Sequence, residues 1–208
     1  MFISFDGVDG AGKSTQIQLC REWLESSGRQ VLVCRDPGST QLGESLRAIV
    51  LESRQTLIAR RAEMLLFMAA RAQLVEEVIR PALAAGQTVL SDRFLLANVV
   101  YQGHAGGLDP QAIRRVGEVA IDNVRPDYTL VLDIDPQHAS TRFEREPDRM
   151  EAQGLSYLQQ VRAGFLREAA DDSTITVIDA SGSIEQVSRS VQAVLAPLLK
   201  SVPGRDRI

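Results

Sequence analysis

A chain of 208 residues is long enough to bury the core of one domain and leaves little sequence for a second. Its formal net charge of −4 excludes the basic excess that is typical of nucleic-acid-binding domains, so we expect no nucleic-acid partner. Cys20 and Cys34 are the only cysteines, which excludes a disulfide framework or a cysteine-rich zinc site, and we expect both to be small buried side chains.

The first predicted element is a short apolar strand at residues 2–5, followed directly by a glycine-rich turn. Residues 7–14 read GVDGAGKS and fit the pattern G-x-x-x-x-G-K-[S/T] of a phosphate-binding loop, with a helix predicted for residues 14–27. In such a loop, backbone N–H groups point at phosphate oxygens, Lys13 reaches the β- and γ-phosphates, and the Ser14 hydroxyl binds Mg²⁺. The residues assigned to ATP binding are Gly7, Val8, Asp9, Gly10, Ala11, Gly12, Lys13, Ser14 and Thr15.

The alternative interpretation of residues 7–14 is a chance glycine-rich turn. The chain has only two lysines, Lys13 and Lys200, and arginine supplies the rest of its positive charge. Lysine therefore stands in the one position of the motif where a compact ammonium is needed, which favours the phosphate-binding interpretation.

The remaining elements alternate between strands and helices. Four more strands are predicted for residues 31–34, 88–90, 128–132 and 174–178, and the strand at residues 31–34 is expected to be buried. Helices are predicted for residues 43–51, 58–85, 110–123, 154–170 and 184–199, and a further helix begins at residue 136. This order indicates an α/β fold in which helices cover both faces of a five-stranded parallel sheet. Because no apolar run reaches the ~18 residues of a membrane span and a strand begins at once, we expect no membrane contact and a cytoplasmic location.

Polar clusters follow three of the strands, which is where a parallel sheet binds its ligands. They are the phosphate loop, the turn at residues 35–40 and the pair Asp92-Arg93. A GTPase is excluded because its guanine-reading segment N-K-x-D needs a lysine, and none lies between residues 14 and 199. Asp92 followed by Arg93 suits a site for two phosphorylated substrates, in which Arg93 bridges their phosphates. The alternative is a structural ion pair at the end of a strand.

Several segments, in the same order along the chain, resemble those of the bacterial thymidylate kinases. They are residues 5–14, 35–44, 67–71, 92–93, 101–103, 125–127, 148–149 and 178–180, and the combination of the proline-glycine turn, the Phe67-to-Arg71 spacing and Tyr101-Gln102-Gly103 is specific. Ser39 departs from the glycine that is usual at its position. The resemblance implies a three-layer P-loop NTPase fold, Mg²⁺-dependent transfer of the ATP γ-phosphoryl group to dTMP, and a homodimer. It also implies one domain over residues 1–200, with a small mobile lid at about 142–151 and a flexible tail at 201–208.

The resemblance implies a set of acceptor-binding residues. They are Arg35, Pro37, Arg47, Phe67, Arg71, Arg93, Asn98, Tyr101 and Gln102. Phe67 and Arg71 share one helix face, so the ring can stack on a pyrimidine while the guanidinium donates to its O4. Asn98 can face the N3 edge of thymine, and Tyr101 can exclude a 2′-hydroxyl. Ordinary core packing for Phe67 and Tyr101, and surface positions for Arg47 and Asn98, are the alternatives.

The expected catalytic residues are Lys13, Arg93, Asp9, Arg142, Arg145 and Arg149, with Ser14 and Asp92 as metal ligands. Asp9 is expected to pair with the acceptor 3′-hydroxyl, the metal or an arginine such as Arg35, unless it is simply solvated. The three arginines of residues 142–149 are expected to face the γ-phosphate from a lid, because the phosphate loop carries no arginine. Stacking of Arg142 on adenine, or a solvated charged face, remains open.

Two other functions are compatible with these residues. One is another pyrimidine nucleotide or deoxynucleoside kinase of the same fold, and the other is a non-catalytic ATP-binding regulator. His104 and His138 are expected in or near loops without a metal-ligand neighbour, and we assign neither a role.

Overall fold

The computed structural model describes residues 1–52, 57–142, 149 and 153–200. Its five strands form one parallel sheet in the order β2-β3-β1-β4-β5, which confirms the predicted sheet. The strands are β1 (Phe2–Asp6), β2 (Val31–Arg35), β3 (Thr88–Asp92), β4 (Tyr128–Asp133) and β5 (Ile175–Asp179).

Helices connect the strands in the alternating order that the sequence predicts. They are α1 (Lys13–Ser26), α2 (Gln41–Arg47), α3 (Arg60–Leu74), α4 (Arg80–Ala84), α5 (Leu95–Asn98), α6 (Pro110–Ile121), α7 (Pro136–Ser140), α8 (Leu155–Asp171) and α9 (Ile184–Lys200). Three π-helical segments continue these helices: Ala48–Glu52 after α2, Val75–Ile79 between α3 and α4, and Val99–His104 after α5.

Two hydrophobic cores lie on opposite faces of the sheet. Neighbouring residues of a strand point to opposite faces, so Ile3 packs with side chains of α1, α8 and α9, while Phe2 packs with side chains of α3 and α6. Helices therefore cover both faces, and the three-layer α/β architecture is confirmed.

Three features differ from the expectation. Strand β2 is an edge strand rather than a buried one, which leaves Val33 41% exposed. The helix predicted from residue 58 begins at Arg60 and contains a π-helical segment. The helical stretch of α5 and Val99–His104 was not predicted, because residues 97–103 are buried all round and show no helical periodicity.

Cys20 and Cys34 are both buried, as expected, and burial raises the pKa of each thiol to about 12. In the part of the chain that the structure describes, none of the helices is both long and apolar enough to cross a membrane. The sequence expectation for residues 201–208 lies outside the described residues.

Shortening a core side chain in β4, the strand beside the central strand β1, should destabilise the protein. Leu130 in β4 is fully buried, so Leu130→Ala should lower the free energy of unfolding by about 2–5 kcal/mol. Leu42→Ala, at a side chain that is 47% exposed, is the control and should change it by less than about 0.5 kcal/mol. Urea denaturation followed by circular dichroism measures both variants, and equal effects would contradict this packing.

Candidate active site

The phosphate loop connects β1 to α1 and needs glycine at positions where the backbone turns sharply. Gly7 has a φ of 131°, and a Cβ there would lie 2.4 Å from the carbonyl oxygen of Leu132. Lys13 begins α1, and its Nζ donates to the carbonyl oxygens of Gly7 at 3.2 Å and Val8 at 3.0 Å. Burial lowers the pKa of Lys13. The loop thus holds a buried ammonium directly beneath its backbone.

Arg93 connects the end of β3 to this loop. Its backbone lies in the left-handed region with a φ of 69°, and its guanidinium donates to the Gly7 carbonyl oxygen at 3.0 Å and to Asp9 Oδ1 at 2.6 Å. It also donates to the Tyr101 hydroxyl at 3.1 Å and lies over the Tyr101 ring, with Cζ 4.9 Å from the centroid. One side chain therefore contacts the loop, the loop carboxylate and the tyrosine.

The electrostatics of Asp9 follow from these contacts. Burial opposes ionisation of its carboxyl, but the charges of Arg93 and Lys13 outweigh burial and lower the pKa of Asp9. Burial raises the pKa of Tyr101, whose hydroxyl lies 3.3 Å from Asp9 Oδ2. The arginine that pairs with Asp9 is Arg93 rather than Arg35, because β3 lies beside β1 whereas β2 is one strand further away.

Arg35 instead pairs with Glu44, at 3.0 Å from its guanidinium to both carboxylate oxygens. The same carboxylate accepts from the backbone N–H of Ser39 at 2.7 Å. Ser39 has a φ of 63°, in the region that favours glycine, and its hydroxyl accepts from the backbone N–H of Arg35 at 2.9 Å. These hydrogen bonds stabilise the turn after β2, although residue 39 is a serine and not the usual glycine.

Two cavities meet at the carboxyl ends of β1, β2 and β3. The larger one, of about 710 Å³, is lined by residues 9–16 and by Arg35, Asp36, Arg47, Asp92, Arg93, Arg142, Ala180, Gly182, Ser183, Ile184 and Val187. The smaller one, of about 100 Å³, is lined by Asp9, Asp36, Pro37, Arg47, Leu51, Phe67, Arg71, Arg93, Ala97, Asn98, Tyr101 and Gln102. Asp9, Asp36, Arg47 and Arg93 line both cavities, so two arginines lie where the cavities join.

The larger cavity offers oxygen ligands for a cation. The Ser14 hydroxyl donates to Asp92 Oδ2 at 3.3 Å at the mouth of the phosphate loop. Among the described residues there is no group of three His, Cys, Asp or Glu side chains that could hold a metal. A hydroxyl and one carboxylate suit Mg²⁺, which takes its other oxygen ligands from phosphates and water.

The smaller cavity is built around the side chain of Arg71, which is 1% exposed. Its Nε donates to Asp36 Oδ2 at 2.6 Å, and its Nη2 donates to Asn98 Oδ1 and to the Phe94 carbonyl oxygen at 3.3 Å. Phe67, one turn earlier on α3, lines the same cavity. The structure therefore brings together an aromatic ring, a fixed guanidinium and an amide, which can bind a flat heterocycle.

Glu63 is a buried residue of this region that the sequence analysis missed. It accepts from Gln102 Nε2 at 2.9 Å and from Arg149 Nη2. Its position four residues before Phe67 and eight before Arg71 places it on the same face of α3. This spacing is the sequence signal that could have identified it.

Arg142 and Arg149 lie in different places, although the sequence predicts that they face one site. Arg142 lines the larger cavity, with its guanidinium 3.4 Å from the carbonyl oxygens of Gly10 and Ala180. Arg149 contacts Glu63 and donates from Nε to the Val50 carbonyl oxygen at 2.8 Å. Arg145 lies outside the described residues, as does most of the segment predicted as a lid.

Both histidines lie near loops, as expected. His104 is the last residue of a π-helical segment, and its Nε2 is 2.7 Å from Glu168 Oε1. Glu168 also pairs with Arg114, so the imidazole contacts a carboxylate that already has a cationic partner. His138 lies in α7. Neither histidine lines the two cavities.

Comparisons with known proteins agree in one description. A family model described as "Thymidylate kinase" matches residues 5–191. The chain is 49% identical over 193 residues to a thymidylate kinase of Rhodopirellula baltica, covering 92% of this chain and 78% of the relative. It is 44% identical to one of Bifidobacterium longum subsp. infantis, covering 96% and 88%. A crystal structure of thymidylate kinase from Ehrlichia chaffeensis matches with a TM-score of 0.77 and 31% identity, covering 94% of this chain and 98% of that one.

Asp6 precedes the phosphate loop, is fully buried and leaves its Oδ1 without a hydrogen-bond partner. Burial raises the pKa of its carboxyl from 3.8 to about 6 even with Arg93 and Lys13 nearby. Above pH 6 the folded protein therefore holds a charge that the unfolded chain solvates better. Below about pH 4 the carboxyl is protonated in both states and this cost disappears.

Asp6→Asn should accordingly stabilise the nucleotide-free protein at pH 8, by roughly 1–3 kcal/mol. The gain should shrink as the pH falls from 6 to 4, because the wild-type carboxyl becomes neutral in the folded state. Chemical denaturation across this pH range measures the difference, with the exposed Asp171→Asn as control. A gain that is independent of pH would contradict the raised pKa.

Proposed function

This chain belongs to the thymidylate kinase family and phosphorylates dTMP to dTDP with ATP, and from this premise we propose that the larger cavity binds ATP and the smaller cavity binds dTMP. The observation that carries this assignment is the pair of cavities that meet at Arg93 and Arg47. Two nucleotides placed in them would meet phosphate to phosphate, with two guanidinium groups at the point of contact.

The donor assignment rests on the phosphate loop. The triphosphate would lie over the backbone of residues 7–15, with Lys13 beneath it as a compact positive charge. The adenosine would extend toward Ala180, Gly182 and Ile184, where Arg142 also lines the cavity. Because the Arg142 guanidinium lies beside the carbonyl oxygens of Gly10 and Ala180, we favour its stacking on adenine over a catalytic role.

The acceptor assignment rests on the smaller cavity. Phe67 would stack on the thymine ring while Arg71 donates to its O4 and Asn98 faces its N3 edge. Tyr101 would lie against the sugar, and its hydroxyl is tied to Arg93 and Asp9. Pro37, Arg47 and Gln102 complete the proposed acceptor site, with Arg47 directed by its hydrogen bond to the Pro37 carbonyl oxygen at 3.1 Å. Arg35, which the sequence also assigns to the acceptor, lines the larger cavity instead.

The reaction needs positioning and charge neutralisation rather than a covalent intermediate. An oxygen of the dTMP phosphate attacks the γ-phosphorus, the new P–O bond forms as the bond to the β-γ bridging oxygen breaks, and ADP leaves with that oxygen. Lys13 and Arg93 would stabilise the charge that spreads over the transferred group. Asp9 would hold Arg93 in the orientation that faces both phosphates, through their 2.6 Å ion pair.

We propose Mg²⁺ as the metal cofactor, held by Ser14 and Asp92 together with phosphate oxygens and water. The support is the contact between the two side chains and the preference of Mg²⁺ for oxygen ligands with several retained waters. When bound there, the ion would neutralise charge on the β- and γ-phosphates.

Further proposals concern the whole chain. Residues 1–200 would form a single domain with a lid at about 142–151 and a flexible tail, in a cytoplasmic enzyme. A homodimer is supported by exposed apolar side chains on two helices that pack together, Leu65 on α3 at 53% exposure and Val119 on α6 at 82%.

A regulator without an acceptor would hydrolyse ATP at a rate that is indifferent to nucleoside monophosphates. Another pyrimidine kinase would prefer dCMP or dUMP, and a nucleoside kinase would accept thymidine itself. None of these three alternatives has a feature in the described residues that favours it over a dTMP kinase.

Lys13→Met should abolish most of the turnover while leaving dTMP binding intact. The variant removes the buried ammonium at the transferred phosphate, so kcat should fall by about a thousandfold or more. Lys200→Met, at the only other lysine, is the matched control and should behave as wild type. A coupled assay of ADP release measures both variants, and a similar kcat for the two would contradict the assignment of the donor site.

Arg71→Lys should weaken the binding of dTMP. Lysine keeps a positive charge for Asp36 but loses the planar fork that contacts Asp36, Asn98 and the base together, so the affinity for dTMP should fall by roughly 1–3 kcal/mol. The KM for ATP should stay unchanged. Arg80→Lys, at a surface ion pair with Glu76, is the control. An unaltered KM for dTMP would rule out Arg71 as a reader of the base.

A further inference from the structure

A continuous relay of hydrogen bonds runs through the floor of the smaller cavity. Gln102 Nε2 donates to Glu63 at 2.9 Å, and Gln102 Oε1 accepts from Asn98 Nδ2 at 2.7 Å. Asn98 Oδ1 in turn accepts from Arg71 Nη2. Glu63, Asn98 and Gln102 are each at most 7% exposed, so water cannot easily replace any of these bonds.

The two ends of the relay give it one direction. A guanidinium such as that of Arg71 can only donate, and the carboxylate of Glu63 can only accept. Between them, the amides of Asn98 and Gln102 must both point their oxygen atoms toward Arg71 and their nitrogen atoms toward Glu63. Turning either amide over would set two donors or two acceptors against each other.

This direction decides what the cavity presents to a base. Beside the N–H groups of Arg71 stands the Asn98 oxygen, which has a second lone pair. A donor next to an acceptor complements the O4 and N3–H of thymine or uracil. In cytosine the pattern is reversed, with an amino group at position 4 and an unprotonated N3.

We propose that Glu63 is a positioning residue for the acceptor base: by fixing Gln102 and through it Asn98, it makes the site select a 4-keto pyrimidine over a 4-amino pyrimidine. This inference rests on the proposed binding of the base in the smaller cavity. Glu63 does not line that cavity and acts only through the two amides.

Arg149 supplies the charge that Glu63 needs inside the protein. Its Nη2 donates to Glu63 Oε2, its Nε donates to the Val50 carbonyl oxygen at 2.8 Å, and its backbone N–H donates to the Leu51 carbonyl oxygen at 3.3 Å. A buried carboxylate without a counter-charge is strongly unfavourable. Arg149 therefore belongs to the acceptor side of the site, through Glu63, rather than to the γ-phosphate.

Glu63→Gln tests the relay, because glutamine keeps the shape of the side chain but can also donate to Gln102. The ratio of kcat/KM for dTMP to that for dCMP should fall by about tenfold, the value of one hydrogen bond that no longer has a fixed direction. The ratio for dTMP to dUMP should not change, because thymine and uracil share the same edge. The KM for ATP and the kcat with dTMP should also stay at wild-type values. Glu76→Gln, on an exposed glutamate of the following helical segment, is the matched control.

Asn98→Ala separates failure of this inference from failure of the proposed function. If Asn98→Ala lowers the selectivity for dTMP over dCMP and Glu63→Gln does not, the relay is wrong while the base site stands. If Asn98→Ala also leaves the KM for dTMP and the selectivity unchanged, the base lies elsewhere and both proposals fail.

Arg149→Gln covers the case in which Glu63→Gln does not fold, because it removes the partner of Glu63 and leaves Glu63 itself in place. Arg149→Gln leaves the Glu63 carboxylate without its counter-charge, and the KM for dTMP should rise by about tenfold. Adding Glu63→Gln to this variant removes the unpaired charge and should restore much of the affinity. A KM for dTMP that stays at the wild-type value in Arg149→Gln would overturn the pairing of Glu63 with Arg149 as the device that orients the amides, and so would effects that simply add in the double variant.

Discussion

The ion pair between Arg93 and Asp9 connects the end of β3 to the phosphate loop, and both cavities meet at it. It exists because the sheet order places β3 beside β1, so that the residue after one strand reaches the loop after the other. The left-handed backbone at Arg93 turns the side chain back over the loop, where its guanidinium also contacts the Tyr101 hydroxyl. The two cavities thus share this fixed guanidinium, and under the proposed assignment the phosphoryl group would be transferred beside it.

Charge is stabilised at this site by pairing rather than by exposure to water. Asp9 is held ionised by Arg93 and Lys13 in spite of its burial, and Arg71 pairs with Asp36 in a position where both are almost inaccessible. Breaking one partner of such a pair leaves the other charge unpaired, which makes these residues sensitive to substitution. The same constraint would give the proposed site its specificity, since side chains that must satisfy each other cannot turn to suit a different ligand.

Much of the fold and part of the site could be predicted from the sequence. The phosphate loop is recognisable because its glycines are demanded by backbone geometry, and Phe67 and Arg71 because four-residue spacing places them on one helix face. The partner of Asp9 could not be predicted, since nothing in the residues reveals that β3 rather than β2 lies beside β1. The helical stretch from Leu95 could not be predicted, because a segment that is buried on all sides shows no helical periodicity of apolar residues.

Calorimetric titration of dTMP into protein saturated with a non-hydrolysable ATP analogue and Mg²⁺ shows whether both cavities are occupied at the same time. We expect one dTMP bound per chain in the presence of the analogue, because Arg93 and Arg47 line both cavities and would contact the phosphates of both nucleotides. Displacement of the analogue by dTMP, or no binding of dTMP to the saturated protein, would contradict simultaneous binding of the two nucleotides.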